Sequence, residues 1–193
     1  MGKDSILVPL LEGFEEIEAI TIIDVLRRAD LRVIIAGDGA GPVRGAHGVQ
    51  VHAEIALAEV QAADLRMIVL PGGMPGAAHL AENPRVQRLL RDVAAAGGTT
   101  AAICAAPWAL AVAGVHKDHQ VTCYPGFQDK VKGATFVEDR VVVDGTVVTS
   151  RGPGTAMEFA LTLVGLVAGR EREQQLAGDL LAVRPAPARE IHN

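Results

Sequence analysis

One segment, Thr99-Thr-Ala-Ala-Ile-Cys-Ala-Ala-Pro107, indicates how this chain folds and where it reacts. It begins as a small, apolar, strand-like run that ends at Cys104. Pro107 suits the first turn of a helix, where its missing N–H costs nothing. The segment predicts a strand, a sharp turn carrying Cys104, and a helix whose free N–H groups favour a thiolate. The alternative is that Cys104 is a small core residue, as many free cysteines are.

The composition is typical of one globular domain. The chain has 193 residues, of which 49% are hydrophobic and 21% are charged, and its net charge is -5. We predict a single domain over residues 1–193, with a proline-rich, extended tail over residues 183–193. No cluster of lysine and arginine is present, which argues against nucleic acid or an anionic membrane as a partner.

The cellular compartment is predicted from three features. No apolar run has the length of a membrane span, and the first residues lack the apolar core of a signal peptide. Two cysteines do not make a disulfide framework. We therefore expect a cytoplasmic protein in a reducing compartment.

Strand and helix patterns alternate along the chain. Strands are predicted over 5–10, 31–37, 67–70 and 99–103, and helices over 15–29, 84 to about 96, 107–113, 155–167 and 170–181. Hairpins are predicted over 42–55 and over 140–149, the second with its turn at Asp144-Gly145. This alternation predicts an α/β fold, in which helices cover both faces of a mostly parallel sheet.

The first helix carries two apolar stripes. One stripe consists of Ile17, Ile20, Ile23 and Leu26, and the other of Ala19, Ile22 and Val25. One stripe can face the sheet, and a second copy of the chain is the simplest partner for the other. We therefore expect a homodimer. The alternative is a helix buried inside its own domain.

Glu18 lies in the segment Gly13-Phe-Glu-Glu-Ile-Glu18, which follows the first strand. It falls among Ile17, Ala19 and Ile20, so we expect a partly desolvated carboxyl with a raised pKa that shares a proton with a thiolate. The alternative is an exposed glutamate in the first turn of a helix, where its charge suits the helix dipole.

Two glycine-rich segments follow other strands. In Leu70-Pro-Gly-Gly-Met-Pro-Gly76, the N–H of Gly73 is predicted to form an oxyanion hole with that of Ala105, and the alternative is a tight turn. The segment lacks the lysine of a phosphate loop, so no nucleotide is expected. In Thr149-Ser-Arg-Gly-Pro-Gly-Thr155, Thr155 is a candidate N-cap, and Arg151 supports an anionic substrate or faces solvent.

Histidine and the second cysteine give weaker signals. None of the six histidines has the spacing of a metal motif, so we expect no metal. Cys123 is predicted just past a strand that neighbours the cysteine turn. It is a candidate resolving thiol for Cys104 or, in the alternative that we favour, a thiol that stays reduced.

Together, in their order and spacing, the segments around Glu18, Gly73, Cys104 and Arg151 resemble the ThiJ/PfpI superfamily, and within it the branch around the Parkinson-disease protein deglycase. The resemblance implies a flavodoxin-like three-layer sandwich, a homodimer packed partly through the first helix, and a site without a cofactor. By matching motif it implies the following residues: Cys104 as nucleophile, Glu18 as its carboxyl partner, the Gly73 and Ala105 amides as oxyanion donors, Gly72, Ser150 and Arg151 near the pocket, and Asp24 and Arg28 near the dimer interface.

The chain departs from the family at two positions. Tyr124 stands where this branch has a histidine, and a phenol is a poor base at pH 7. His47 falls near a pocket arginine that the family contributes across the dimer. The phenol of Tyr124 therefore argues against a cysteine–histidine proton relay, and His47 is a candidate partial replacement for the missing imidazole.

The resemblance implies two functions of different kinds. The first is a cofactor-free glyoxalase or deglycase that acts on methylglyoxal, glyoxal or their adducts, with Cys104 attacking the aldehyde and Glu18 moving protons. The second is a non-enzymatic sensor of oxidative stress with a chaperone role, which responds through oxidation of Cys104.

Overall fold

A computed structural model describes residues 4–182, so the predicted tail over residues 183–193 lies outside the described part. The strands are β1 (Ser5–Pro9), β2 (Arg32–Gly37), β3 (Gly41–Arg44), β4 (Gln50–Ala53), β5 (Ile55–Ala56), β6 (Leu65–Leu70), β7 (Thr99–Ile103), β8 (Gln120–Val121), β9 (Thr135–Phe136), β10 (Val141–Asp144) and β11 (Val147–Ser150). The helices are α1 (Glu16–Arg28), α2 (Gly76–Glu82), α3 (Pro84–Ala95), α4 (Pro107–Ala113), α5 (Ala156–Ala168) and α6 (Arg170–Asp179). None of these helices is both long and apolar enough to cross a bilayer.

Seven strands form the central sheet, in the order β10-β11-β7-β6-β1-β2-β5. All neighbours in this sheet are parallel except β10 and β11, which form an antiparallel hairpin at one edge. Two small sheets lie outside it, the hairpin β3-β4 and the pair β8-β9. The predicted mostly parallel sheet is confirmed.

Alternation along the strands divides the core into two layers, because successive side chains of a strand point to opposite faces. In β1, Ile6 and Val8 pack in one apolar cluster with α1, α5 and α6. Leu7 points the other way, into a cluster with α2, α3 and α4. Helices therefore cover both faces, which confirms the predicted three-layer sandwich.

Two local predictions differ from the structure. Helix α2 was not predicted, because its seven residues follow a glycine-proline segment and are too few to show a helical period. In the β10-β11 hairpin, Asp144 pairs with Val147, so the turn consists of Gly145 and Thr146 and not of Asp144 and Gly145. Gly145 supplies the positive φ of 58°, and the Asp144 carboxylate accepts the Gln120 N–H at 2.7 Å.

Helix α1 buries its apolar residues unequally. Ala19, Ile22 and Val25 are buried as one stripe, and Ile23 and Leu26 are buried beside them. Ile17 and Ile20 remain 58% and 44% exposed. The stripe of Ala19, Ile22 and Val25 therefore faces the core, and Ile23 and Leu26 of the other stripe also pack inside the chain, so only Ile17 and Ile20 of that stripe are left for a partner.

Candidate active site

The site lies where the order of strands reverses. The chain places β2 on one side of β1 and β6 on the other, so the loops that leave β1 and β6 face each other across a crevice. Backbone hydrogen bonds join these loops, because the Glu15 N–H donates to the Gly72 carbonyl at 2.9 Å and the Gly76 N–H to the Gly13 carbonyl at 3.2 Å. Open α/β sheets bind ligands at such a point.

Cys104 occupies the sharp turn between β7 and α4. Its φ is +65°, a left-handed conformation that costs energy for a residue with a side chain. Neighbouring backbone holds it there, because the Cys104 N–H donates to the Ser150 carbonyl at 2.9 Å and its carbonyl accepts the Tyr124 N–H at 2.8 Å. The predicted order of strand, cysteine turn and helix is what the structure contains.

Glu18 lies in the first turn of α1 and is completely buried, so it is not an exposed first-turn glutamate. Its Oε2 accepts the Gly72 N–H at 2.7 Å, its Oε1 has no hydrogen-bond partner among the described residues, and Cys104 lies beside the carboxyl across Gly72. Burial raises the pKa of Glu18 to about 7, although the Gly72 N–H and the Cys104 thiol oppose the shift, and the charge of Glu15 adds to it. The carboxyl therefore exchanges its proton near neutral pH.

Cys104 is a buried residue, 8% exposed. Burial and the negative charge of Glu18 raise its pKa to about 12, against the lowering effect of the Gly73 and Ala105 amides, which donate to the sulfur. The Ala105 amide at the start of α4 therefore favours the thiolate, as expected of a helix start, but burial and the ionised Glu18 outweigh it. A proton on Glu18 removes the repulsion, so the thiolate forms most easily opposite a neutral carboxyl, and the two groups titrate as a pair.

Glycine is required at both positions of the β6 loop. A Cβ on Gly72 would lie 2.7 Å from the Cys104 Cβ and 2.8 Å from the Glu18 Oε2, so no side chain fits between the thiol and the carboxyl. Gly73 has a φ of +90°, and a Cβ there would overlap the backbone of Gly13 and Glu15. These glycines let the backbone approach closely enough for one amide to reach Glu18 and the next to reach the sulfur.

The other predicted pocket residues have distinct places. The Ser150 hydroxyl is buried and hydrogen-bonds the Arg140 carbonyl at 2.8 Å and the Thr155 hydroxyl at 2.6 Å. Ser150 therefore contacts the cysteine turn through its backbone carbonyl, which accepts the Cys104 N–H. Thr155 occupies the N-cap position of α5, but its hydroxyl bonds Gly152 and not the helix amides. Tyr124 and Arg151 line a cavity of about 260 Å³.

His47 lies on the β3-β4 loop, beside the start of α1. Its Nδ1 is 2.9 Å from the Glu16 Oε2 and 3.5 Å from the Glu15 Oε2. The Glu16 hydrogen bond is the largest cause that raises the pKa of His47. Glu16, which sequence reasoning did not single out, also accepts the His47 and Val49 N–H groups, so it fastens this loop to α1.

Donor atoms of Glu15, Glu16 and His47 lie within 4.8 Å of one another, as the ligands of a metal ion do. No metal motif showed this grouping, because the histidine is 31 residues from Glu16 in the sequence. The hydrogen bond between His47 and Glu16 accounts for the approach without an ion. The absence of a resident metal stays a prediction.

Cys123 is buried in the core layer of α2, α3 and α4, whereas Cys104 packs in the layer of α1, α5 and α6. Burial raises the pKa of Cys123 to about 11, and the nearby charge of Arg151 opposes the shift. Both cysteines are free. Their placement in different layers disfavours the candidate role of Cys123 as a resolving thiol.

Comparison with known proteins identifies the family. The model of the DJ-1/PfpI family matches residues 4–166. The chain belongs to the DJ-1/PfpI family. The protein dj-1beta of Drosophila melanogaster is 43% identical over 180 residues, which cover 92% of this chain and 96% of that protein. The resemblance that the four segments carry is thereby confirmed.

Two further relatives support this membership and the fold. A Caenorhabditis elegans protein named glutathione-independent glyoxalase DJR-1.2 is 39% identical, over 90% of this chain and 94% of that protein. The crystal structure of Drosophila DJ-1beta superposes with a TM-score of 0.88 at 44% identity, over 94% of this chain and 98% of that one. The structure of oxidized Toxoplasma gondii DJ-1 also superposes with a TM-score of 0.88. It is 37% identical, over 92% of this chain and 97% of that one. The flavodoxin-like fold predicted from the resemblance is confirmed.

Proposed function

We propose that this protein is a cofactor-free glyoxalase that converts small 2-oxoaldehydes such as methylglyoxal or glyoxal, or their adducts, to hydroxy acids. The observation that carries the proposal is the contact between the buried Glu18 carboxyl and the Cys104 thiol, with the Gly73 and Ala105 amides on the sulfur. A related protein from Caenorhabditis elegans is named a glutathione-independent glyoxalase, which supports the same chemistry.

The reaction on methylglyoxal proceeds through the thiol. The Cys104 sulfur adds to the aldehyde carbon, and the oxygen takes up a proton to give a hemithioacetal. Glu18 removes the proton from that carbon and returns one to the neighbouring carbonyl carbon, so the first carbon is oxidised, the second is reduced and a thioester forms. Water then cleaves the thioester and releases lactate and the thiol. A carboxyl with a pKa of about 7 suits both halves of this proton transfer.

The oxyanions of the addition and hydrolysis steps need donors beside the sulfur. The amides of Gly73 and Ala105, which already donate to the sulfur, are the groups proposed to stabilise them. The Tyr124 phenol is 45% exposed and is given no proton to move in this scheme. The departure from the family histidine therefore leaves Glu18 as the base on which the proposal depends.

Lactate formed from methylglyoxal, in a buffer free of amines and other thiols, tests the proposal. Cys104→Ser and Glu18→Gln should each lower turnover by at least about a hundredfold, as expected for loss of a nucleophile or general base. Cys123→Ser is the matched control and should keep most of the activity. Wild-type turnover no greater than that of Cys104→Ser would exclude a glyoxalase.

A second candidate function is sensing of oxidants by Cys104. The same two amides and the protonated Glu18 can donate to the oxygens of a sulfinate, which supports stable oxidation at this position. Intact mass and peptide mapping after mild peroxide test it. We expect two added oxygens on Cys104 before the methionines react. Equal oxidation of methionines and Cys104 contradicts the sensor, and a chaperone role needs a separate aggregation assay.

A further inference from the structure

A cavity beside the cysteine turn is not used by the chemistry above. Its walls are the ring of Tyr124, Pro125, Pro153 and the two arginines Arg140 and Arg151. We call it the Arg151 cavity. Its volume of about 260 Å³ accommodates a group of a few heavy atoms.

The Arg151 cavity borders the backbone of the cysteine turn, although Cys104 is not among its lining residues. Tyr124 on one wall donates its N–H to the Cys104 carbonyl at 2.8 Å. Ser150, next to Arg151 on the other wall, accepts the Cys104 N–H at 2.9 Å. Both walls are therefore fixed to the backbone of Cys104, and a ligand that fills the cavity lies next to the turn that carries the thiol.

The two arginines of the cavity differ in charge balance. Arg140 donates from Nε to the Glu158 carboxylate at 2.7 Å and from its terminal nitrogen to the Gly154 carbonyl at 3.0 Å, so its charge is compensated. Arg151 makes no ion pair and no side-chain hydrogen bond within residues 4–182. Its charge acts on the nearby Cys123 thiol, which is too buried to neutralise it.

An uncompensated arginine beside aromatic and proline side chains favours a small anion. A guanidinium presents a planar set of donors that matches a carboxylate, and the apolar walls offer no competing charge. We propose that the Arg151 cavity binds the carboxylate of an acidic carbonyl substrate, so that Arg151 is the specificity-determining residue for 2-oxo acids with an aldehyde group over neutral 2-oxoaldehydes. The identity of this anion as a substrate rests on the proposed glyoxalase function, whereas the anion site itself does not.

The test compares two alkylating reagents that differ in charge. Iodoacetate carries a carboxylate and iodoacetamide is its neutral counterpart, and with each the Cys104 thiolate forms a carbon–sulfur bond as iodide leaves. Both reagents react with the same thiolate population, so the ratio of their rate constants at Cys104 cancels any change in thiol pKa. Peptide mapping separates Cys104 from Cys123.

In the wild type, we expect the ratio of the iodoacetate rate constant to the iodoacetamide rate constant at Cys104 to exceed the same ratio measured for N-acetylcysteine. Arg151→Gln should lower this ratio several-fold. The matched control is Arg91→Gln, which removes an equal charge from an exposed position on α3, outside the cavity, and should leave the ratio unchanged. An unchanged ratio in Arg151→Gln, or an equal fall in the control, overturns the proposal. Circular dichroism confirms that each variant is folded.

The alkylation ratio is measured without turnover of methylglyoxal, so it tests the anion site separately from the glyoxalase. If methylglyoxal gives no lactate but the reagent ratio depends on Arg151, the glyoxalase proposal fails and the anion site stands. If lactate forms but the ratio does not depend on Arg151, the enzyme stands and the anion site is wrong.

Discussion

Burial is the main reason why the Glu18 carboxyl has a raised pKa. Its neighbours in sequence predicted a partly desolvated carboxyl, but the sequence could not distinguish this from an exposed first-turn glutamate. Gly72, which is 54 residues away, decides between these two environments. Its N–H donates to the Glu18 carboxyl, and its lack of a side chain leaves room for the Cys104 thiol. The raised pKa was thus predictable in direction, whereas its cause lies in a tertiary contact.

The raised pKa of Glu18 predicts how stability depends on pH. Between its usual value of 4.5 and its folded value of about 7, the folded chain keeps a proton that the unfolded chain releases. The free energy of unfolding therefore falls as the pH rises through this window, by about 3 kcal/mol in total. Glu18→Gln should abolish this part of the slope and make the protein more stable than the wild type at pH 8.

Urea unfolding at pH 5 and pH 8, at one protein concentration, measures this difference. Glu171→Gln, on the exposed side of α6, is the control that should retain the wild-type slope. If the free energy of unfolding of Glu18→Gln changed with pH as much as that of the wild type, the Glu18 carboxyl would be solvated in solution.

At the scale of elements, the sequence predicted the long, periodic segments well. Strand β7 and helix α4 have the predicted bounds, and Asn83 caps α3 by accepting the Arg85 and Val86 N–H groups. The failures are short elements, such as α2 and β9, whose conformation is decided by contacts distant in sequence, whereas the strand expected just before Cys123 is β8. The β8-β9 region matters because it leads to Tyr124, whose N–H holds the Cys104 turn.

The junction between the β3-β4 loop and α1 yields a prediction at this scale. Burial is the largest single influence on Glu16 and raises its pKa, but the hydrogen bonds from the His47 side chain and from three backbone amides together outweigh it, so the pKa of Glu16 is lowered; that of His47 is raised. The stability from Glu16 is present above its usual 4.5 and is lost as the pH falls through its lowered folded value. The stability that His47 contributes is present below pH 6.5 and is lost as the pH rises through the raised pKa of His47 in the folded chain.

Protection of the His47 and Val49 amides from hydrogen exchange should therefore be greatest between pH 4.5 and 6.5. Glu16→Gln should reduce this protection and lower the pKa of His47, as followed by NMR titration. Glu12→Gln, at an exposed position before α1, should change neither quantity. Unchanged protection in Glu16→Gln would mean that the loop is held by its other contacts alone.

At the scale of the whole molecule, one rule of topology accounts for the position of the site. The reversal of strand order at β1 and β6 opens a crevice, and three segments from different parts of the chain supply Glu18, from the first turn of α1, and Gly73 and Cys104, from two loops. The sequence could predict this convergence because parallel strands end at the same edge of a sheet. It could not predict the charge balance of Arg140 and Arg151, which depends on the place of Glu158 in α5.

The exposed side of α1 leads to the last prediction, which concerns assembly. Ile17 and Ile20 are exposed at positions that share a helix face with Asp24 and Arg28, which form an ion pair at 2.7 Å. We propose that this face packs against a second copy of the chain. Sedimentation velocity should find a homodimer, and Ile17→Asp with Ile20→Asp should raise its dissociation constant by at least about tenfold per isoleucine. Leu166→Asp, at a similarly exposed position on α5, should leave the dimer intact. A monomeric wild type at micromolar concentration, or a dimer that survives both aspartates, would mean that these isoleucines face solvent in the functional protein.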